Sequence, residues 1–114
     1  MTGYLTTHVL DTARGQPASG IRVELHRVDG GTRTLLAEAI TNADGRADDP
    51  VLPSDRFAPG TYELTFFVAD YLADGSAETG FLDDVPLRFR MSEADHYHVP
   101  LLLSPFGYST YRGS

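Results

Sequence analysis

The chain contains no cysteine. Disulfides and thiolate metal sites are therefore excluded, and a small protein without such staples leans toward a reducing compartment. Lysine is absent too; all nine basic residues are arginine, which we read as genomic bias before chemistry. No stretch approaches the roughly 20 apolar residues of a membrane helix. The opening "MTGYLTTHVL" has neither the basic start nor the apolar core of a signal peptide. Positive charge is scarce against 16 acids, and the formal net charge is -7. Nucleic acid and anionic membranes would be repelled, so neither is expected as a partner. At 114 residues and 41% hydrophobic content, one domain with a modest core is expected.

What the sequence does have is alternation. "IRVELHRV" sets Ile21, Val23 and Leu25 against Arg22, Glu24 and His26. "TYELTFFV" aligns Tyr62, Leu64, Phe66 and Val68, and "VPLRFRM" aligns Val85, Leu87, Phe89 and Met91. Successive strand side chains point to opposite faces, so these read as strands with one wet face. Turn clusters such as "ARGQPASG", "VDGGT", "NADG" and "FAPG" separate them. Short strands at this spacing suggest an antiparallel sandwich or barrel. One segment departs from the pattern: "DYLADG" predicts a helix of one or two turns over 70–75, with Asp70 as N-cap and Gly75 as stop.

Four histidines carry most of the latent chemistry. His26 is expected in solvent. His8 shares a face with Thr6 and Leu10, opposite Leu5, Thr7 and Val9. His96 and His98 share a face with Pro100 and Leu102, while Val99, Leu101 and Leu103 point to the core. The outward faces are too apolar to be fully wet and read as an interface or ligand site. Histidines at i and i+2 can share a cation, with His8 or Asp95 as a third ligand. Without cysteine or a His-Glu-x-x-His motif, the commoner reading puts His96 at a rim and pairs His98 with a polar group. No metal and no cofactor is expected. Taken singly, Arg46 and Arg112 read as solvated, so periodicity alone yields no reaction.

The motifs say more together. "THVLDTARGQPASGIRVEL", "TNADGR", "HYHVPLLLSP" and the final "YSTYRGS" resemble, in order and over nearly the whole chain, the transthyretin-related 5-hydroxyisourate hydrolases of urate breakdown. The same layout resembles the transthyretin carriers, which gives a non-catalytic small-ligand carrier as the alternative. In the carriers other residue types stand at the positions of His8, Arg46 and His98, and the "YRGS" ending is missing, so the hydrolase is favoured.

The resemblance implies a single transthyretin-like domain over 1–114: an all-β, eight-stranded, antiparallel two-sheet sandwich with one short helix. It implies a homotetramer, a dimer of dimers, whose first strand and last two line a central channel. The reaction implied is metal-independent hydrolysis of a ring amide, converting 5-hydroxyisourate to 2-oxo-4-hydroxy-4-carboxy-5-ureidoimidazoline. Water attack on a carbonyl needs a base, an oxyanion stabiliser and an acid. His8 and His98 are expected to move protons, and Arg46 to hold the substrate's oxygens. Ser114 would position water or ligand through its hydroxyl or the terminal carboxylate. Tyr111 would pack on the flat ring, and Arg112 would meet the substrate or a neighbouring subunit's carboxylate. Leu10, Pro100 and Leu102 would wall the pocket. A Ser114 nucleophile is disfavoured, since no Gly-x-Ser-x-Gly elbow is present. A bacterial cytoplasmic location is expected.

Overall fold

A computed structural model describes residues 3–75 and 81–113. The strands are β1 (Tyr4–Asp11), β2 (Gln16–Pro17), β3 (Arg22–Asp29), β4 (Thr32–Ile40), β5 (Gly60–Phe67), β6 (Asp84–Met91), β7 (His96–Ser104) and β8 (Gly107–Thr110). A helix, α1 (Ala69–Gly75), follows β5. The strands form two four-stranded sheets, one ordered β2-β1-β7-β8 and the other β4-β3-β5-β6. The alternation read from sequence explains how they face each other. Leu5, Val9, Leu101 and Leu103 of the first sheet are fully buried against Val23, Leu25, Leu64 and Phe66 of the second. Each such side chain withdrawn from water contributes roughly 1.5–3 kcal/mol. Thr7 shares that inner face, and its hydroxyl donates to the Val99 carbonyl at 2.7 Å, so no polar group is stranded there.

The sandwich is antiparallel except at one place: β1 and β7 run parallel. A parallel pair cannot be joined by a hairpin and needs a long crossover. Here the crossover contains the whole second sheet, which is why local sequence gave no sign of it. One expectation needs correction. Strand β5 has no wet face, because Tyr62 through Phe66 are all buried. It lies between β3 and β6, and the Arg33 and Arg88 side chains reach across Glu63. Strand β6 keeps the expected wet face, with Pro86, Arg88 and Arg90 exposed, Val85 and Met91 buried, and Leu87 and Phe89 half-buried against the core at the sheet's edge.

The helix begins at Ala69, one residue before the predicted start, so Asp70 sits in its first turn rather than at the cap. A carboxylate there still favours the positive end of the helix. Tyr71 fastens the helix to the end of β1 by donating to Asp11 Oδ2 at 2.7 Å. Burial, and then the bond to the Asp11 carboxylate, push the Tyr71 hydroxyl up to about 12, so it stays a donor. His26, expected in solvent, is half-buried where β3 bulges.

Candidate functional site

The parallel ladder assembles the site. Its register puts Tyr4 beside His96, Thr6 beside His98 and His8 beside Pro100, all on the outer face of the first sheet. Thr6 Oγ1 lies 2.7 Å from His96 Nε2 and 2.8 Å from His98 Nδ1, so one hydroxyl joins both rings. The His96 ring stacks on Tyr4 with centroids 4.2 Å apart and planes 7° from parallel. His96 is therefore not the rim bystander read from sequence. It is half-buried and lines the same hollow as His98.

A turn delivers Arg46. Asn42 Oδ1 accepts from the backbone N–H of Asp44 at 2.9 Å and of Arg46 at 3.2 Å, folding "NADG" into a compact loop. Gly45 makes the closest approach: its carbonyl accepts from Val9 N at 2.8 Å. A Cβ on Gly45 would stand 2.4 Å from the Val9 carbonyl, and its φ of +75° also favours glycine. This docking sets Arg46 against His8 as an isolated bridge. The Arg46 guanidinium forms no ion pair among the described residues, which leaves its donor fork open to a ligand.

The tail returns to the same face. Gly113 N donates to the His98 carbonyl at 2.7 Å. A Cβ at Gly113 would stand 2.6 Å from His98 Cδ2, so the glycine leaves room for the ring itself. Arg112 stacks over Tyr97 at 4.2 Å and donates to Asp95 Oδ2 at 3.1 Å. The carboxylate it meets thus belongs to its own chain. Tyr111 is exposed, and together with Arg112 it lines a separate hollow bounded by β6 and β7. Ser114 lies outside the described residues.

Electrostatics bind the cluster together. His98 is held below the ordinary histidine range, first by burial, then by the charge of Arg46 and by His96 and His8. His8 is lowered by burial and then by Arg46, with Asp44 opposing. Both imidazoles consequently keep a free lone pair near neutral pH, as a base must. The hollow measures about 440 Å³ and is lined by Tyr4, Thr6, Arg46, His96 and His98 together with Asp48 and Asp49. Its imidazoles, guanidinium and carboxylates suit a small polar molecule better than an apolar one. His8, Leu10, Pro100 and Leu102 are not among its lining residues; His8 joins the cluster through its bridge to Arg46 and its electrostatic influence on His98. Leu10 and Leu102 are half-buried on the same outer face, and Pro100 is buried. Among the described residues no three histidine or carboxylate groups converge as metal ligands.

Of the residues named from sequence, the structure gathers His8, Arg46 and His98. It adds Thr6, and it sets His96, weighed from sequence as a cation partner of His98, and Gly113 of the terminal motif against them. Parity alone put Thr6 on the right face, but its role depends on a neighbour strand some ninety positions away.

Comparison with known proteins fits this geometry. A 5-hydroxyisourate hydrolase from Mesorhizobium japonicum is 57% identical over 98% of this chain and 93% of its own length. The crystal structure of an (S)-allantoin synthase superposes with a TM-score of 0.91 at 48% identity. This chain covers only 44% of that protein's length. Transthyretin from Sparus aurata superposes with a TM-score of 0.87 at 28% identity, over 96% of this chain and 95% of its own. The HIUase/Transthyretin family model matches residues 5–113, and the chain belongs to that family.

Proposed function

We propose that this protein hydrolyses 5-hydroxyisourate by metal-independent attack of water on a ring amide. The observation that carries the reading is the meeting of His8, Arg46 and His98, with Arg46 helping to keep both imidazoles neutral. The hydrolase identity of a relative at 57% supports the same substrate. Arg46 offers its fork to the carbonyl oxygen that becomes an oxyanion. His8 and His98 between them activate the water and return a proton to the departing ring nitrogen. In this reading the hydroxyl or terminal carboxylate of Ser114 would steady the water.

In this reading the chain is one transthyretin-like domain over 1–114 that works as a homotetramer, a dimer of dimers, in a bacterial cytoplasm. What supports assembly is the half-buried Leu10 and Leu102 beside the histidines on an outward face. A neighbouring copy laid on that face would wall the hollow, with Pro100 behind it, and could bring Tyr111 to the substrate. Among the described residues no helix is long and apolar enough to cross a membrane.

The test is direct. Freshly prepared 5-hydroxyisourate is followed by its ultraviolet decay, with and without protein, in the presence of a strong chelator. Undiminished acceleration is expected. Binding without acceleration would favour the carrier reading, and acceleration abolished by the chelator would overturn the metal-free one. Sedimentation at micromolar concentration should show a tetramer; a monomer would remove the shared channel.

A further inference from the structure

Thr6 has one hydroxyl hydrogen and two imidazole neighbours. It can donate to one of the rings at a time, so the other ring must donate to Thr6. The protonation patterns of His96 and His98 are thereby linked. We propose that Thr6 is a positioning residue whose hydroxyl couples the two rings, so that His98 works as base and acid in turn while His96 holds the proton between the two steps. The proposal rests on the hydrolytic reading above and deepens it.

Two arrangements satisfy the geometry. In the first, His98 carries its hydrogen on Nδ1 and donates to Thr6, and Thr6 donates to His96 Nε2. Neutral His96 then carries its hydrogen on Nδ1, and His98 Nε2 is a lone pair ready for a proton from water. When that proton arrives, the Nδ1 hydrogen of His98 passes to Thr6 oxygen, and the Thr6 hydrogen passes to His96 Nε2. The second arrangement results: His98 is neutral with its hydrogen on Nε2, and His96 is an imidazolium. One proton has entered and one positive charge has appeared. Return of the Nε2 hydrogen to the leaving nitrogen reverses each transfer and restores neutral His96. No other reactant is required.

The surroundings suit this division. His96 stacks face to face on the Tyr4 ring, a position where an aromatic face favours a cation. In the ladder His8 pairs with Pro100, so His96 stands two residues farther along β7 from it than His98 does, and His98 feels burial and the charge of Arg46. The charges that act on His98 are those of Arg46, His96 and His8, and Tyr4, Asp48 and Asp49 line the same hollow. A charge on His98 is disfavoured there, and Thr6 offers it an exit 2.7 Å from His96 Nε2.

The experiment compares wild type with Thr6→Val, which keeps the branched shape without the hydroxyl, and Thr6→Ser, which keeps the hydroxyl. With 5-hydroxyisourate as substrate, Thr6→Val should lower kcat at least about tenfold with KM within about threefold. Thr6→Ser should recover to within about threefold of wild type. Imidazole ¹⁵N spectra supply a readout independent of turnover: in Thr6→Val the ring-nitrogen shifts of His96 and His98 should both change, and in His96→Ala those of His98 should change. Thr6→Val within twofold of wild type, or equal losses in Thr6→Val and Thr6→Ser, would overturn the coupling. So would His98 ring-nitrogen shifts unaltered in Thr6→Val, whatever the turnover. A wild-type protein without hydrolysis would sink the proposed function and leave the spectra to decide the coupling.

Discussion

The two sheets of this sandwich treat their outer faces differently. On the second sheet, most arginines are closed against carboxylates within the chain; Arg90, on the edge strand, forms no ion pair among the described residues. Arg22 meets both Glu24 and Glu38, and Glu63 lies between Arg33 at 2.7 Å and Arg88 at 3.3 Å. On the first sheet, Arg46 has no ion pair among the described residues, and the neighbouring imidazoles are kept uncharged. A face whose charges are mutually satisfied gains little from a ligand. A face with an open guanidinium, free lone pairs and half-buried leucines has its bonding capacity still to be used. The difference assigns stability to one surface and chemistry to the other.

Substitutions can break that contrast, and the largest effects should come from the histidines. His8→Ala and His98→Ala should each lower turnover by about 10²-fold or more while the fold persists, the range expected for loss of a positioned acid or base. Retained turnover in a folded His98→Ala protein would dissolve the distinction between the faces. Arg46→Lys comes next. It keeps the charge but loses the two-pronged donor, and about 10²-fold should be lost from kcat. A variant within twofold of wild type would take Arg46 out of the mechanism.

Gly113→Ala sharpens the comparison at its edge. The added methyl must displace the His98 ring, and a shift of that kind should cost about 10- to 100-fold in kcat with the melting temperature nearly kept. Crystallography of the variant should show the ring moved; an unmoved ring with unchanged kcat would contradict the packing argument.

Acidity gives a gentler probe. His8 and His98 both bind protons less readily in the folded chain than at the usual 6.5. The unfolded chain therefore takes up more protons, and their contribution to stability is present above about pH 6.5 and lost as the pH falls below it. Denaturant midpoints measured down from neutrality should decline, and replacing both histidines should flatten that part of the decline. The smallest effect belongs to the second sheet. Glu63→Gln should leave turnover unchanged and shift stability by about 1 kcal/mol or a little more, since its arginine partners are half-exposed while it is buried.

How much of this could be read from the chain follows from the range of each interaction. The faces of β1 and β7 were legible because alternation is local: Leu5, Val9, Leu101 and Leu103 point inward as their parity demands. The turn before Arg46 was legible in "NADG", but its docking on Val9 was not, since that rests on a close backbone approach between distant segments. Strand β4 shows no clean alternation, because an edge strand exposed along most of its length has little to alternate. The double burial of β5 escaped notice because arginines from other strands cover Glu63. His8, Arg46 and His98 came from the resemblance of whole motifs, whereas Thr6 and His96 needed coordinates.

The parallel pairing of β1 with β7 also has a consequence in time. Thr6 and His98 stand 92 positions apart, so their strands cannot meet until the chain between them has been made and gathered. Closing such a loop costs about 2 kcal/mol more in chain entropy than closing a hairpin of about ten residues. Neighbouring strands β3 and β4 suffer no such delay, and folding dominated by distant pairings is slow. Pulse-labelled hydrogen exchange during refolding should therefore protect β3 amides before those of β1. A newly made chain would possess its charge-paired sheet first, and its capacity for chemistry would be the last property to arrive.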